Sequence, residues 1–147
     1  MLPNDANPLG FMLGGSVMHL IDIAGAIACH RHTRSRVVTA AVDGLQFLHS
    51  IKVGDLIILR SRVTATFRTS LEVEVEVFSE STLTGERKQT SLAYLTFVAI
   101  DERGNRVPVP PLLLETPEEL QKASAAESRR AARLQAKERL VQTKTQP

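Results

Sequence analysis

The run that begins at Gly14-Gly15-Ser16 and continues from Val17 to Cys29 constrains this chain most. Apart from His19 and Asp22, every residue in it after Ser16 is apolar or small. A helix that is apolar on all faces is buried on all faces. Ala24, Gly25, Ala26 and Ala28 are small enough to let a sheet approach closely. Asp22 then sits inside a core helix, where an unpaired carboxylate is costly, so it is either satisfied by a partner or put to use. Ser16 is the expected N-cap. The run to about Arg31 spans ~24 Å at the helical rise. His30, Arg31, His32, Arg34 and Arg36 follow, and such a basic cluster suits the negative end of a helix dipole.

Around this helix the chain reads as strands. Met1 to Leu13 is a loop punctuated by Pro3, Asn4, Asp5, Asn7, Pro8 and Gly10. Val37–Val42 is a short β-branched strand that leads through Asp43-Gly44 to Leu45–Leu48. A turn at Lys52–Asp55 precedes a long strand from Leu56 to Phe67. Leu71–Val77 alternates Val with Glu, the period of a half-buried strand, and Thr90–Ile100 is the last strand. With Arg68-Thr69-Ser70 as a symmetric link, Arg62 is expected opposite Glu76 and Thr66 opposite Glu72, on a solvated outer face. The prolines at 108, 110 and 111 rule out a central strand there. Thr116-Pro117-Glu118-Glu119 is a helix start with N-cap, Pro at N1 and an acid at N3. The helix after it, to about Val141, carries charge on most faces, so it is expected on the surface or against another subunit, with a disordered end.

The fold class is therefore α+β: a long buried helix wrapped by a curved antiparallel sheet over residues 1–115, and a charged helical tail over 116–147. One sheet leaves part of the helix and a sheet edge uncovered, so a partner subunit is expected. At 147 residues and 43% hydrophobic content there is material for one real core. The net charge of +2 is unevenly placed. From Thr116 on, seven Lys and Arg face four acids, whereas eleven face twelve before it, so the body has no nucleic-acid-binding character. A single cysteine excludes an internal disulfide and fits a reducing compartment. With no secretory signal and no apolar run long enough to span a membrane, a cytoplasmic protein is the expectation.

Three residues form a chemical constellation: Asn7 in the loop, Gly14 at the helix start and Asp22 within the helix. Free N–H groups in a first helical turn suit a developing oxyanion. Desolvation makes a carboxylate a better base toward water, and an amide can orient that water or a carbonyl. Gly14 and Asp22 are eight positions apart, about 12 Å along one helix, whereas reacting atoms must come within ~3–3.5 Å. Acting together, they belong to different subunits of a shared site.

The segments Gly14-Gly15, Leu20–Ile27, Val37–Asp43, Phe47-Leu48, Val53-Gly54-Asp55 and Ser79–Gly85, with Pro3–Asn7 and the Pro-rich exit, resemble hotdog-fold acyl-CoA thioesterases. The likeness runs to about Glu119 and is nearest to the brain-type acyl-CoA hydrolases and their bacterial short-chain relatives. It implies hydrolysis of an acyl-CoA thioester to free fatty acid and CoA, an activity of lipid metabolism. By the resemblance Asp22 is the catalytic carboxylate, Asn7 its polar partner, and Gly14 or Gly15 an oxyanion donor. The carboxylate acts as general base or as nucleophile according to class; the general base is preferred. Homodimers with shared sites, joined as trimers of dimers into hexamers, are implied, with no cofactor beyond CoA as part of substrate and product. Phe11-Met12-Leu13 is apolar where relatives are polar, and Ala41 stands where some relatives carry Ser. The alternative function is a non-catalytic acyl-CoA-binding hotdog protein.

CoA phosphates call for cationic and hydroxyl groups at a site mouth; Arg68, Thr69, Ser70, Arg87 and Lys88 are the candidates, with Arg129, Arg130 and Arg133 of the tail behind them. His30 and His32 lack the acid or cysteine set that would complete a metal site, so no metal is expected. Cys29 reads as helix packing rather than a nucleophile. His49 is given no role. His19, one turn before Asp22, keeps a hydratase or dehydratase reading open.

Overall fold

The structure is a computed structural model that describes residues 1–145. Helix α1 (Gly14–Thr33) is followed by strands β1 (Arg36–Phe47), β2 (Leu56–Thr66), β3 (Ser70–Glu80) and β4 (Arg87–Ile100), then helix α2 (Pro117–Thr145). The strands form one antiparallel sheet in the order β1-β4-β3-β2, which lays its inner face along α1. This is the expected hotdog arrangement.

Helix α1 buries Val17, Ile21, Gly25, Cys29 and Thr33, one stripe at a spacing of four. At Gly25 the absent side chain is a packing requirement: a Cβ there would lie 3.0 Å from Phe97 Cε2. Burial on every face, expected from composition, is not what the single chain shows. Met18, Ile23 and Ile27 are 46, 43 and 48% exposed, because one sheet covers only one stripe of a helix. The helix also begins two residues before the expected cap. Leu13 is the N-cap with no side-chain hydrogen bond, and its carbonyl accepts from Ser16 and Val17 N–H at 3.0 and 3.2 Å. At the other end Arg34 takes the left-handed conformation that closes the helix.

Strand β1 is continuous through Asp43-Gly44 rather than two pieces. Register shifts between Thr39 and Ala41 and between Val42 and Gly44 absorb one extra residue each. The hairpin register also differs from expectation: Arg62 pairs with Glu74 and Thr66 with Leu71. The link is Arg68-Thr69 alone, since Phe67 N–H already donates to Ser70 O at 2.8 Å, and a bulge between Val63 and Ala65 shifts the strand again.

The largest departure is the outer sheet face, which is covered by α2 instead of water. Glu72 and Glu74 are 1 and 2% exposed. Arg129 grips Glu72 with two hydrogen bonds of 2.9 and 2.8 Å, Lys122 and Arg62 hold Glu74 at 2.7 and 3.0 Å, and Arg133 binds Asp43. Arg129 also lies 3.7 Å from the Tyr94 ring centroid. Helix α2 starts as expected: Glu119 N–H donates to Thr116 Oγ1 at 3.2 Å and Thr116 N–H to Glu119 Oε2 at 3.1 Å. It remains helical past Val141 to Thr145; the disordered end expected for the tail otherwise falls on residues 146–147, outside those described.

Candidate active site

The first turn of α1 opens onto a groove of about 380 Å³ lined by Asn7, Phe11, Gly14, Phe47, His49 and Ser91, among others. Because Leu13 supplies no side-chain cap, the N–H groups of Gly14 and Gly15 have no acceptor among the described residues. Uncapped amides at the positive end of a helix form a site for a carbonyl oxygen that gains negative charge. The loop ahead is closed by Asn7 itself. Its Oδ1 accepts from Leu9 and Phe11 N–H at 2.9 and 3.1 Å, so only its amide NH₂ is left for a ligand. The sequence expectation gave Asn7 both a free donor and a free acceptor; the acceptor is spent on the loop.

Asp22 lies elsewhere. It lines a separate pocket of about 160 Å³ with Met18, Ile21, Val42, Leu45, Ala93 and Leu95, where it is the only polar side chain. It is half-buried rather than enclosed in the core, and it is not unpaired: Thr39 Oγ1 donates to Asp22 Oδ1 at 2.5 Å. Sequence reasoning gave Thr39 no role. Its available signal was a hydroxyl between Val38 and Ala40 in the otherwise apolar run from Val37 to Val42. In one chain, then, Asn7 and Gly14 come together at one cavity, while Asp22, hydrogen-bonded to Thr39, lines another.

The residues expected to bind CoA are not brought together. Arg68 and Thr69 form the β2–β3 turn and Ser70 opens β3, whereas Arg87 pairs with Glu80 at the other end of that strand. Ten residues of strand separate the two groups by about 33 Å. Arg87 is held by Glu80 at 2.7 Å; Lys88 lines a polar groove with His49, Ser50 and Lys52 that adjoins the α1 groove. Arg129 and Arg133 are committed to Glu72 and Asp43, and Arg130 lies over the Phe67 ring at 4.6 Å. His30 Nδ1 and His32 Nε2 are hydrogen-bonded to the Ser35 and Pro110 carbonyls at 2.8 and 2.7 Å. Burial pushes the Cys29 thiol up to about 12, which leaves it without thiolate character at neutral pH. His19 is exposed. No described helix is long and apolar enough to cross a membrane.

Residues 9–86 match the Thioesterase superfamily. The chain belongs to that superfamily. It is 41% identical over 120 residues to an uncharacterized acyl-CoA thioester hydrolase of Bacillus subtilis, covering 82% of this chain and 70% of that one. It is 34% identical over 119 residues to the human cytosolic acyl coenzyme A thioester hydrolase, of whose length it spans 31%, and 80% of this chain is matched. Among solved structures, an apo-hexameric acyl-CoA thioesterase superposes with a TM-score of 0.88 at 43% identity, covering 92% of this chain and 87% of that one. An acyl-CoA hydrolase from Staphylococcus aureus, in complex with butyryl coenzyme A, coenzyme A and coenzyme A disulfide, gives 0.88 at 32% identity over 99% of this chain and 91% of that one. Structures of the S. aureus protein also exist with alanine in place of one aspartate, one threonine and one asparagine.

Proposed function

We propose that this protein hydrolyses acyl-CoA thioesters to the free acid and CoA, at sites built by two copies of the chain. The observation that carries the reading is the division of the reactive groups into two half-sites. Asn7 and the uncapped Gly14 line one groove, and a carboxylate steadied by Thr39 lines an apolar pocket about 12 Å away along the same helix. The exposed apolar side chains Met18, Ile23 and Ile27 on α1, with Val38 and Val42 on β1, supply the surface that a second copy would cover. The S. aureus structures support the residue set. The asparagine, aspartate and threonine replaced there stand fifteen and seventeen positions apart in that protein, the spacing of Asn7, Asp22 and Thr39 here.

In this reading the thioester oxygen lies against the N–H groups of Gly14 or Gly15, and the Asn7 amide directs the attacking water or the carbonyl. Asp22 of the partner subunit takes a proton as the water oxygen attacks the carbonyl carbon. The tetrahedral oxyanion is held by the helix amides until the C–S bond breaks. Asp22 then returns the proton to the departing CoA sulfur. The acyl tail occupies the small apolar pocket beside Asp22. Trimers of such dimers, a domain boundary near residue 115 and a cytoplasmic location complete the proposal.

Thiol release from a panel of acyl-CoAs tests it, with Asp22→Ala run in parallel. Wild-type protein is expected to turn over and the variant to lose activity while keeping its assembly, since alanine suits a helix interior. Unchanged turnover in the variant removes Asp22 from the mechanism, and binding without turnover in the wild type leaves the non-catalytic alternative.

A further inference from the structure

Strand β4 lies between β1 and β3, and it sends Ser91, Ala93, Leu95, Phe97 and Ala99 to its buried, helix-facing side. Four of these five are core hydrophobes; the first is a serine, 1% exposed. Its backbone is paired on both sides, opposite Phe47 of β1 and Val77 of β3. Its hydroxyl is the only buried side-chain oxygen or nitrogen among the described residues that has no hydrogen-bond partner. Other buried hydroxyls are used: Thr90 Oγ1 donates to Val77 O at 3.1 Å and Thr64 Oγ1 to Glu72 Oε1 at 2.7 Å. A buried orphan hydroxyl is a standing cost unless something arrives to meet it.

Ser91 lines the groove at the first turn of α1, with Asn7 and Gly14. The polar groups lining that groove are the Asn7 amide, the Gly14 N–H, the His49 imidazole and the hydroxyls of Ser50 and Ser91. No lysine or arginine lines it, and Phe11, Met12, Val17, Phe47, Leu48 and Ile51 supply the apolar walls. Such a lining suits a mostly apolar ligand segment bearing carbonyl oxygens, and holds no lysine or arginine to pair with a phosphate.

We propose that Ser91 is a substrate-binding residue whose hydroxyl donates a hydrogen bond to a carbonyl oxygen of the acyl-CoA lying in this groove. The inference rests on the thioesterase reading above and adds a contact which that reading does not need. The carbonyl has two possible sources: the thioester, present only in acyl-CoA, and the pantetheine amides, present in free CoA as well.

Calorimetric titration of Ser91→Ala and Ser91→Cys with CoA and with S-(2-oxopentyl)-CoA, a non-hydrolysable analogue of butyryl-CoA that keeps the acyl carbonyl beyond an inserted methylene, tests the assignment, beside thermal melts of the free proteins. The expected result is about tenfold weaker binding in Ser91→Ala, the factor that goes with about 1.4 kcal/mol. Its melting temperature should be unchanged or higher, because an unsatisfied hydroxyl has been removed. Ser91→Cys, which keeps the volume but donates weakly, should bind with intermediate affinity. Loss confined to the analogue identifies the thioester position as the acceptor, and loss for both ligands identifies a pantetheine amide. Wild-type affinity in Ser91→Ala, with or without a lowered melting temperature, overturns the proposal. Failure of the wild-type protein to bind either ligand overturns the parent reading as well, so the two failures are distinguishable.

Discussion

Two inactive variants should restore each other if the site is shared. Asp22→Ala removes the carboxylate. Asn7→Asp removes the amide donor, yet its oxygen can still accept the Leu9 and Phe11 N–H groups that close the loop. Gly14 and Asp22 are about 12 Å apart along α1, several times the reach of an attacking water, so within one chain these groups cannot serve one carbonyl. In a two-fold dimer each site then takes Asn7 and the helix amides from one subunit and Asp22 from the other. A mixed dimer of the two variants has one intact site and one doubly defective site. After equimolar co-refolding about half of the dimers are mixed, and half of their sites are whole, so activity should return to about a quarter of the wild-type rate per chain. Assembly into a hexamer leaves that fraction unchanged, because it is set within each dimer. Thiol release reports the rate, and native mass spectrometry of differently tagged variants reports mixing. Mixed oligomers that turn over no faster than the sum of the two parents would falsify the shared site.

Other consequences are local. Thr39→Val keeps the shape of the side chain but deletes the 2.5 Å bond to Asp22; a hydrogen bond to a charged group is worth about 1.5–3 kcal/mol, so the variant should melt lower and, with the carboxylate no longer held, kcat should fall about tenfold. Gly25→Ala places a Cβ 3.0 Å from the buried Phe97 ring; an overpacking cost of about 1–3 kcal/mol should exceed the ~1 kcal/mol gained in helix propensity, and a higher denaturant midpoint would contradict that close approach. Burial alone would push the Glu74 carboxyl up, but Lys122 and Arg62 outweigh it and hold the group below its ordinary range. Its contribution is therefore complete above the unfolded value of about 4.3 and is lost as pH falls through the folded value. Urea midpoints followed downward in pH should drop less steeply in Glu74→Gln than in the wild type.

What could be read from the sequence divides along a physical line. Local signals survived: the apolar helix run, the Thr116 capping box and the period-two alternation of β3 each depend on neighbours a few residues away, and each element is where it was expected. Two other local readings, the Ser16 cap and the hairpin register, did not, and the remaining failures depended on who covers whom. Alternation in Leu71–Val77 assigns the glutamates to one face but cannot say that α2, some fifty residues later, brings Arg129 and Lys122 to meet them. The charge of that helix read as a solvated surface because its complement was scattered over Asp43, Glu72 and Glu74. The same distinction governs the site. Asn7, Gly14 and Asp22 could be singled out by residue type and helical spacing, but the bond from Thr39 crosses from strand to helix and has no spacing rule to reveal it. The expected burial of Asp22 went astray for the complementary reason: composition reports how much apolar surface a helix must hide, without saying whether its own sheet or another copy hides it. Met18, Ile23 and Ile27 are left uncovered here, on the helix that carries the carboxylate, so the exposed apolar surface and the residue proposed to act across a subunit boundary lie on the same element.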